Sequence, residues 1–98
     1  MNQNTRVETV MNIINAINNV VQLGSKPIKS NIMIKTGSNT TTLKPILNKL
    51  VTKGLIETRD VKIYSRKRAD AYYLTEKGKE LLKDWNGFRQ RLGFDSIK

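Results

Sequence analysis

The sequence predicts a mostly α-helical domain with a small β-hairpin (α+β). Three observations predict it. Apolar residues recur at helical spacing over residues 6–23 and 40–53. β-Branched and aromatic residues gather in two runs, 55–64 and 71–74, on either side of the basic segment Ser65-Arg66-Lys67-Arg68-Ala69-Asp70. The helical period then returns after Thr75. At 98 residues the chain is read as one domain over 1–98, with a core and hairpin over 6–74 and a last helix over 75–92.

Composition narrows the chemistry. Eighteen Lys and Arg against eight Asp and Glu give a net charge of +10. An excess of that size points to a polyanionic partner, although a merely soluble basic protein is the plain alternative. The excess is uneven: residues 26–56 hold six lysines and no acid, whereas residues 1–25 are neutral. There is no Cys and no His, which excludes disulfides, thiol nucleophiles, His-based metal sites and Ser-His-Asp triads. Glu57 with Asp60, and Glu80 with Asp84, are the carboxylate pairs. Surrounded by Lys and Arg, they read as salt links or solvated charges rather than as catalytic acids. No metal, cofactor or small-molecule ligand is expected. The polar start MNQNTRVETV lacks the apolar run of a signal peptide, and no stretch is long and apolar enough to span a membrane. The expected location is the cytoplasm, on the nucleoid.

The first helix is expected over Arg6–Leu23. Thr5 and Glu8 fit a capping box, and Val7, Val10, Met11, Ile14, Ile17 and Val21 form its stripe, with Ile13 and Val20 at the edge. A second, short helix is expected from Pro27, as a first-turn proline, to Lys35 or Thr36, with Ile28, Ile32, Met33 and Ile34 on its inner side. Gly37-Ser38-Asn39 forms a turn, and Ser38 or Asn39 caps a third helix over Thr40–Lys53. Leu43, Ile46, Leu47, Leu50 and Val51 share one face of it, and Gly54 ends it. Short helix, glycine turn and second helix make a helix-turn-helix pattern, which non-binding helical hairpins also show.

The outer face of the third helix carries Thr41, Pro45, Asn48, Lys49 and Thr52, with Thr42 and Lys44 beside it. It has hydroxyls, an amide and ammonium groups, and no acid, which suits a DNA groove. Pro45 opposes an unbroken helix, because it removes a backbone donor and crowds the preceding turn. Either the helix starts later or it bends there. In the hairpin, the tip carries Arg66, Lys67 and Arg68 and lacks Gly, Asn and Pro, so a loose loop is expected rather than a two-residue turn. Tyr64, Tyr72 and Tyr73 read as packing residues. Thr75 caps the last helix, on which Leu81, Trp85, Phe88 and Leu92 recur as a seam. Gly87 either weakens that helix or ends it with Asn86.

Two steps carry a resemblance. Lys53-Gly54-Leu55-Ile56 leads from helix to strand, and Tyr72-Tyr73-Leu74-Thr75-Glu76-Lys77-Gly78 leads from strand to helix. With Ile32-Met33 before the turn and the frame TGSNTTTLKPILNKLVTKGLIE, the chain resembles the winged helix-turn-helix family over roughly Arg6 to Trp85. It is most like the small archaeal winged-helix regulators and the ten-kilodalton DNA-binding proteins of Sulfolobus. It departs from them in a shorter segment after Trp85 and in Pro45, where an ordinary helix former is usual.

The resemblance implies a homodimer on double-stranded DNA, with the third helix in the major groove and the hairpin, or wing, on the backbone or minor groove. The DNA-binding candidates are then Asn39, Thr41, Thr42, Lys44, Asn48 and Lys49 on the helix, and Arg66, Lys67 and Arg68 on the wing. Asn pairs with adenine and Thr methyls touch thymine, whereas Lys44 and Lys49 suit phosphates. The plain alternatives are a solvated helix face and a charged loop that protects the hairpin edge. Leu81, Trp85, Phe88 and Leu92 are the dimerisation candidates, with packing on the first helix as the alternative. The implied function is a transcriptional regulator; an architectural DNA-binding protein and a protein–protein interaction module share the fold. The Asn, Ile and Lys bias points to an AT-rich genome, of an archaeal virus, plasmid or host.

Overall fold

A computed structural model describes the backbone of residues 3–92 and the side chains of residues 7–88. The order is α1 (Gln3–Gln22), α2 (Lys29–Thr36), α3 (Thr40–Thr52), β1 (Ile56–Tyr64), β2 (Lys67–Leu74) and α4 (Glu76–Leu92). The expected α+β class and element order hold, with several local differences.

Helix α1 begins at Gln3, so Thr5 lies inside the helix and not at its cap. The buried stripe is Met11, Ile13, Ile14, Ala16, Ile17 and Val20, while Val7 and Val21 are exposed. The core face is therefore rotated toward the two residues placed at its edge. The reason is that α1 is packed by α2, β2 and α4, and those neighbours cover the Ile13–Val20 side. Each fully buried aliphatic here contributes about 1.5–3 kcal/mol through removal of its surface from water.

Pro27 does not enter α2. It is fully buried, and its carbonyl accepts the Tyr72 N–H at 2.9 Å. The adjacent Ile28 bridges Ala71 in antiparallel fashion and occupies the N-cap position of α2 without a side-chain cap bond. The segment before α2 is thus held to β2 by an isolated bridge beside the two-stranded sheet. A proline fits there because its carbonyl, and not its missing N–H, meets the strand. Of the residues assigned to the inner side of α2, Ile32 is fully buried but Ile34 is 80% exposed.

Helix α3 runs without interruption through Pro45. Leu43, Leu47 and Leu50 enter the core and Val51 stays at its edge, exposed. The helix-turn-helix corner is closed by Gly37 in the left-handed conformation (φ 73°), whose N–H bonds the Met33 carbonyl at 2.8 Å. Strands β1 and β2 pair antiparallel from Ile56↔Leu74 out to Tyr64↔Lys67, with a bulge between Lys62 and Tyr64. The loop is only Ser65-Arg66, tighter than expected. Ser65 takes a positive φ of 48°, so a serine supplies the left-handed turn residue that a glycine or asparagine usually provides.

Helix α4 continues through Asn86 and Gly87 to Leu92. Among its described side chains the buried one is Leu82, one position from the expected Leu81, which is exposed. Gly78, Leu82 and Trp85 form the inner row, at spacings of four and three. Thr75 caps the helix as expected, accepting the Gly78 N–H at 3.1 Å.

Candidate nucleic-acid interface

The outer face of α3 is assembled by its cap and its corner. Asn39 has extended backbone, and its side-chain oxygen accepts the Thr42 N–H at 2.8 Å. Asn39 rather than Ser38 is therefore the cap, and its carbonyl oxygen is committed to the helix. The corner is braced by Thr36, whose hydroxyl donates to the Ile32 carbonyl at 2.9 Å and accepts the Ser38 N–H at 3.2 Å. With the apolar side of α3 held by Leu43, Leu47 and Leu50, the opposite side is turned outward. Thr41, Thr42, Lys44, Pro45, Asn48 and Lys49 are all exposed. Thr52 completes the row and donates to the Asn48 carbonyl at 3.0 Å. Lys44 and Lys49 have no ion-pair partner among the described residues.

Pro45 stands in the middle of this face and also borders a groove. The groove, of about 560 Å³, runs between α1 and α3 and is lined by Val7, Val10, Met11 and Ile46, with Lys49 and Lys53 at its rim. Sequence reading had not singled it out, because its walls come from helices more than thirty residues apart.

The wing brings the basic tip together only in part. Arg66 lies in the two-residue turn, and Lys67 and Arg68 begin β2. Neighbours along a strand point to opposite faces, so Lys67 and Arg68 are separated by the sheet. Arg68 is engaged: its Nε donates to the Asp60 carboxylate at 3.0 Å. Asp60 is placed directly opposite Asp70, an unfavourable like-charge pair that Arg68 offsets from the diagonal. Lys62, which the sequence reading passed over, sits directly opposite Arg68 and is exposed. Strand alternation is the signal that would have found it.

On the other face of the wing, Arg59 stacks over the Tyr73 ring at 4.4 Å and pairs with Glu57. Glu57 and Asp60 are thus both in salt links, as read from their surroundings. Tyr72 packs on the core, and burial, followed by the nearby Asp70 charge, raises its phenol above the usual tyrosine range. No group of three or more potential metal ligands gathers among the described residues.

On α4, the four seam residues do not share one environment. Trp85 is half-buried against the core and lies 6.3 Å, ring to ring, from Phe88. Leu81 and Phe88 are exposed, at 36% and 46%. The Leu92 side chain lies outside the described residues.

A family model described as winged helix-turn-helix matches residues 4–92. Sequence comparison with curated proteins gave no match. Among solved structures, the chain is similar to a PadR-like transcription factor from Bacteroides fragilis, with a TM-score of 0.66, 19% identity and 92% of each chain covered. At that identity the likeness is one of fold. The structural neighbour is bacterial, so the likeness to archaeal proteins rests on sequence motifs alone.

Proposed function

Because this chain belongs to the winged helix-turn-helix family, we propose that it is a transcriptional regulator that binds double-stranded DNA as a homodimer. Helix α3 enters the major groove and the wing meets the backbone or minor groove. One observation carries this: every polar side chain on the exposed face of α3 is a hydroxyl, an amide or an ammonium, and no carboxylate lies anywhere between residues 26 and 56. Such a face is attracted to phosphates and can still exchange hydrogen bonds with base edges. Thr41, Thr42 and Asn48 are assigned to bases, and Lys44 and Lys49 to phosphates. Asn39 contributes through its amide nitrogen, since its oxygen caps α3. On the wing, Arg66 and Lys67 lack an ion-pair partner among the described residues and are the principal contacts. Arg68 contributes after exchanging Asp60 for phosphate.

Helix α4 supplies the dimer contact in this proposal. Leu81 and Phe88 leave apolar surface uncovered on its outer side, and Trp85 lies between that side and the core. The protein acts by binding and not by catalysis, and works in the cytoplasm on the nucleoid. No helix among the described residues is long and apolar enough to cross a membrane.

Selection of bound duplexes from a random pool, repeated across a salt series, tests the proposal. A regulator enriches one inverted repeat. Uniform, steeply salt-dependent binding would instead identify an architectural protein, and no binding at low salt would leave a protein–protein role.

A further inference from the structure

Pro45 changes what α3 offers to a base. In an α-helix the N–H of each residue donates to the carbonyl four positions earlier. Pro45 has no N–H, so the Thr41 carbonyl inside this continuous helix lacks its regular donor. No side chain replaces that donor among the described residues: the Asn39 side chain is spent on the Thr42 N–H, and the Thr52 hydroxyl on the Asn48 carbonyl. Thr41, Pro45, Asn48 and Thr52 follow at spacings of four, three and four, so the side chains on either side of the freed carbonyl stand in one row of the exposed face. It also lies in the first turn and a half of α3, the part of a recognition helix that approaches base edges. The core does not require a proline here, since Pro45 is exposed.

We infer that the Thr41 carbonyl is a specificity-determining group that accepts a hydrogen bond from one exocyclic base amine in the major groove. The inference rests on the placement of α3 proposed above. The chemistry limits the partner. A carbonyl oxygen is repelled by phosphates and by the guanine O6 and thymine O4 acceptors. The donors that a major groove presents are adenine N6 and cytosine N4. A carbonyl already bonded within a helix discriminates weakly. One whose helical donor is missing loses its water on docking and must find a donor. Pro45 thereby lets main chain, not only side chains, take part in readout.

The test uses the full chain, the duplex it selects, and Pro45→Ala and Pro45→Val. Both variants restore the N–H at this position, and Val also keeps an apolar side chain at the α1–α3 groove. Thermal melts should show Pro45→Ala at least as stable as the parent, because a helical bond is regained. Base amines in the selected duplex are then deleted one at a time, with purine replacing adenine or pyrimidin-2-one replacing cytosine. At one position the deletion should weaken the parent by about fivefold, the size of one neutral hydrogen bond, and leave both variants unchanged. An Asn48→Ala control should retain that sensitivity. Equal losses for parent and variants at every position would overturn the inference while leaving the regulator proposal standing. A parent protein that selects no sequence would remove both.

Discussion

The α-carbon of Gly78 lies so close to the Leu55 carbonyl that a Cβ there would sit 2.1 Å from the oxygen. Around this contact the end of α3 is tied to the start of α4. The Thr75 hydroxyl donates to the Gly54 carbonyl at 2.6 Å, the Thr75 N–H to Leu55 at 3.1 Å, and the Lys77 ammonium to Lys53 at 3.1 Å. The two sequence steps that carried the family resemblance are therefore the two sides of one joint. The joint fixes where α3 ends relative to the wing and to α4.

Gly78→Ala tests that joint. At an unobstructed helix position, alanine would stabilise by about 1 kcal/mol over glycine. Here it meets backbone, which cannot swing aside, and overpacking of this kind costs about 1–3 kcal/mol. Chemical denaturation should show a net loss of stability. A variant as stable as the parent would mean that the close approach is not maintained in solution.

The wing arginines should separate. Arg66→Ala removes a cation that has no ion-pair partner among the described residues, and should weaken duplex binding across sequences while lowering the salt slope by about one. Arg68→Ala should cost less affinity but loosen the hairpin, since it leaves Asp60 facing Asp70 without its diagonal cation. The exposed Arg68–Asp60 pair itself is worth at most about 1 kcal/mol. Fluorescence titrations of a duplex at several salt concentrations distinguish the two. Unchanged affinity in Arg66→Ala would remove the wing from the interface.

Asn39 has one role in the fold and one proposed on DNA. Asn39→Ala should lower stability by about 1 kcal/mol through loss of the cap. Asn39→Asp keeps an acceptor for the Thr42 N–H and adds a negative charge at the favourable end of the helix. It should therefore preserve the melting temperature and still impair duplex binding by repulsion of phosphate. Full binding by the aspartate variant would place Asn39 away from the DNA.

The dimer contact needs two substitutions, because Trp85 also packs on its own core. Trp85→Glu should give monomers in sedimentation and a lower melting temperature. Phe88→Glu acts at an exposed position and should give monomers with stability changed by no more than about 0.5 kcal/mol. If the Phe88→Glu protein sediments as a dimer, the interface lies elsewhere.

Much of the fold was legible along the chain. Helical and strand periods are local, so the four helices and the hairpin followed from residue spacing. Caps are local too: Asn39 and Thr75 each hold the N–H group three residues ahead. Gly37, Gly54 and the acid-free face of α3 depend on neighbours within one turn of helix. The errors came where distant segments meet. Pro27 reads as a helix opener until β2 is present to bond its carbonyl. The core face of α1, and Leu82 in place of Leu81 on α4, were set by what packs against each helix, and a stripe wide enough for several rotations cannot choose among them. The tight Ser65-Arg66 loop was missed because strand pairing on both sides overrode the turn preference of its residues.

The element order, the basic excess centred on residues 26–56, the helix-turn-helix corner and the polar chemistry of the outer face of α3 follow from composition and short-range periodicity. Long-range packing sets the rest: Arg68 is held by Asp60 across the hairpin, Trp85 is shared with the core, and Gly78 meets Leu55. Those contacts join segments far apart along the chain, 23 positions for Leu55 and Gly78, and no local pattern specifies which partner a side chain will meet once the chain has closed on itself.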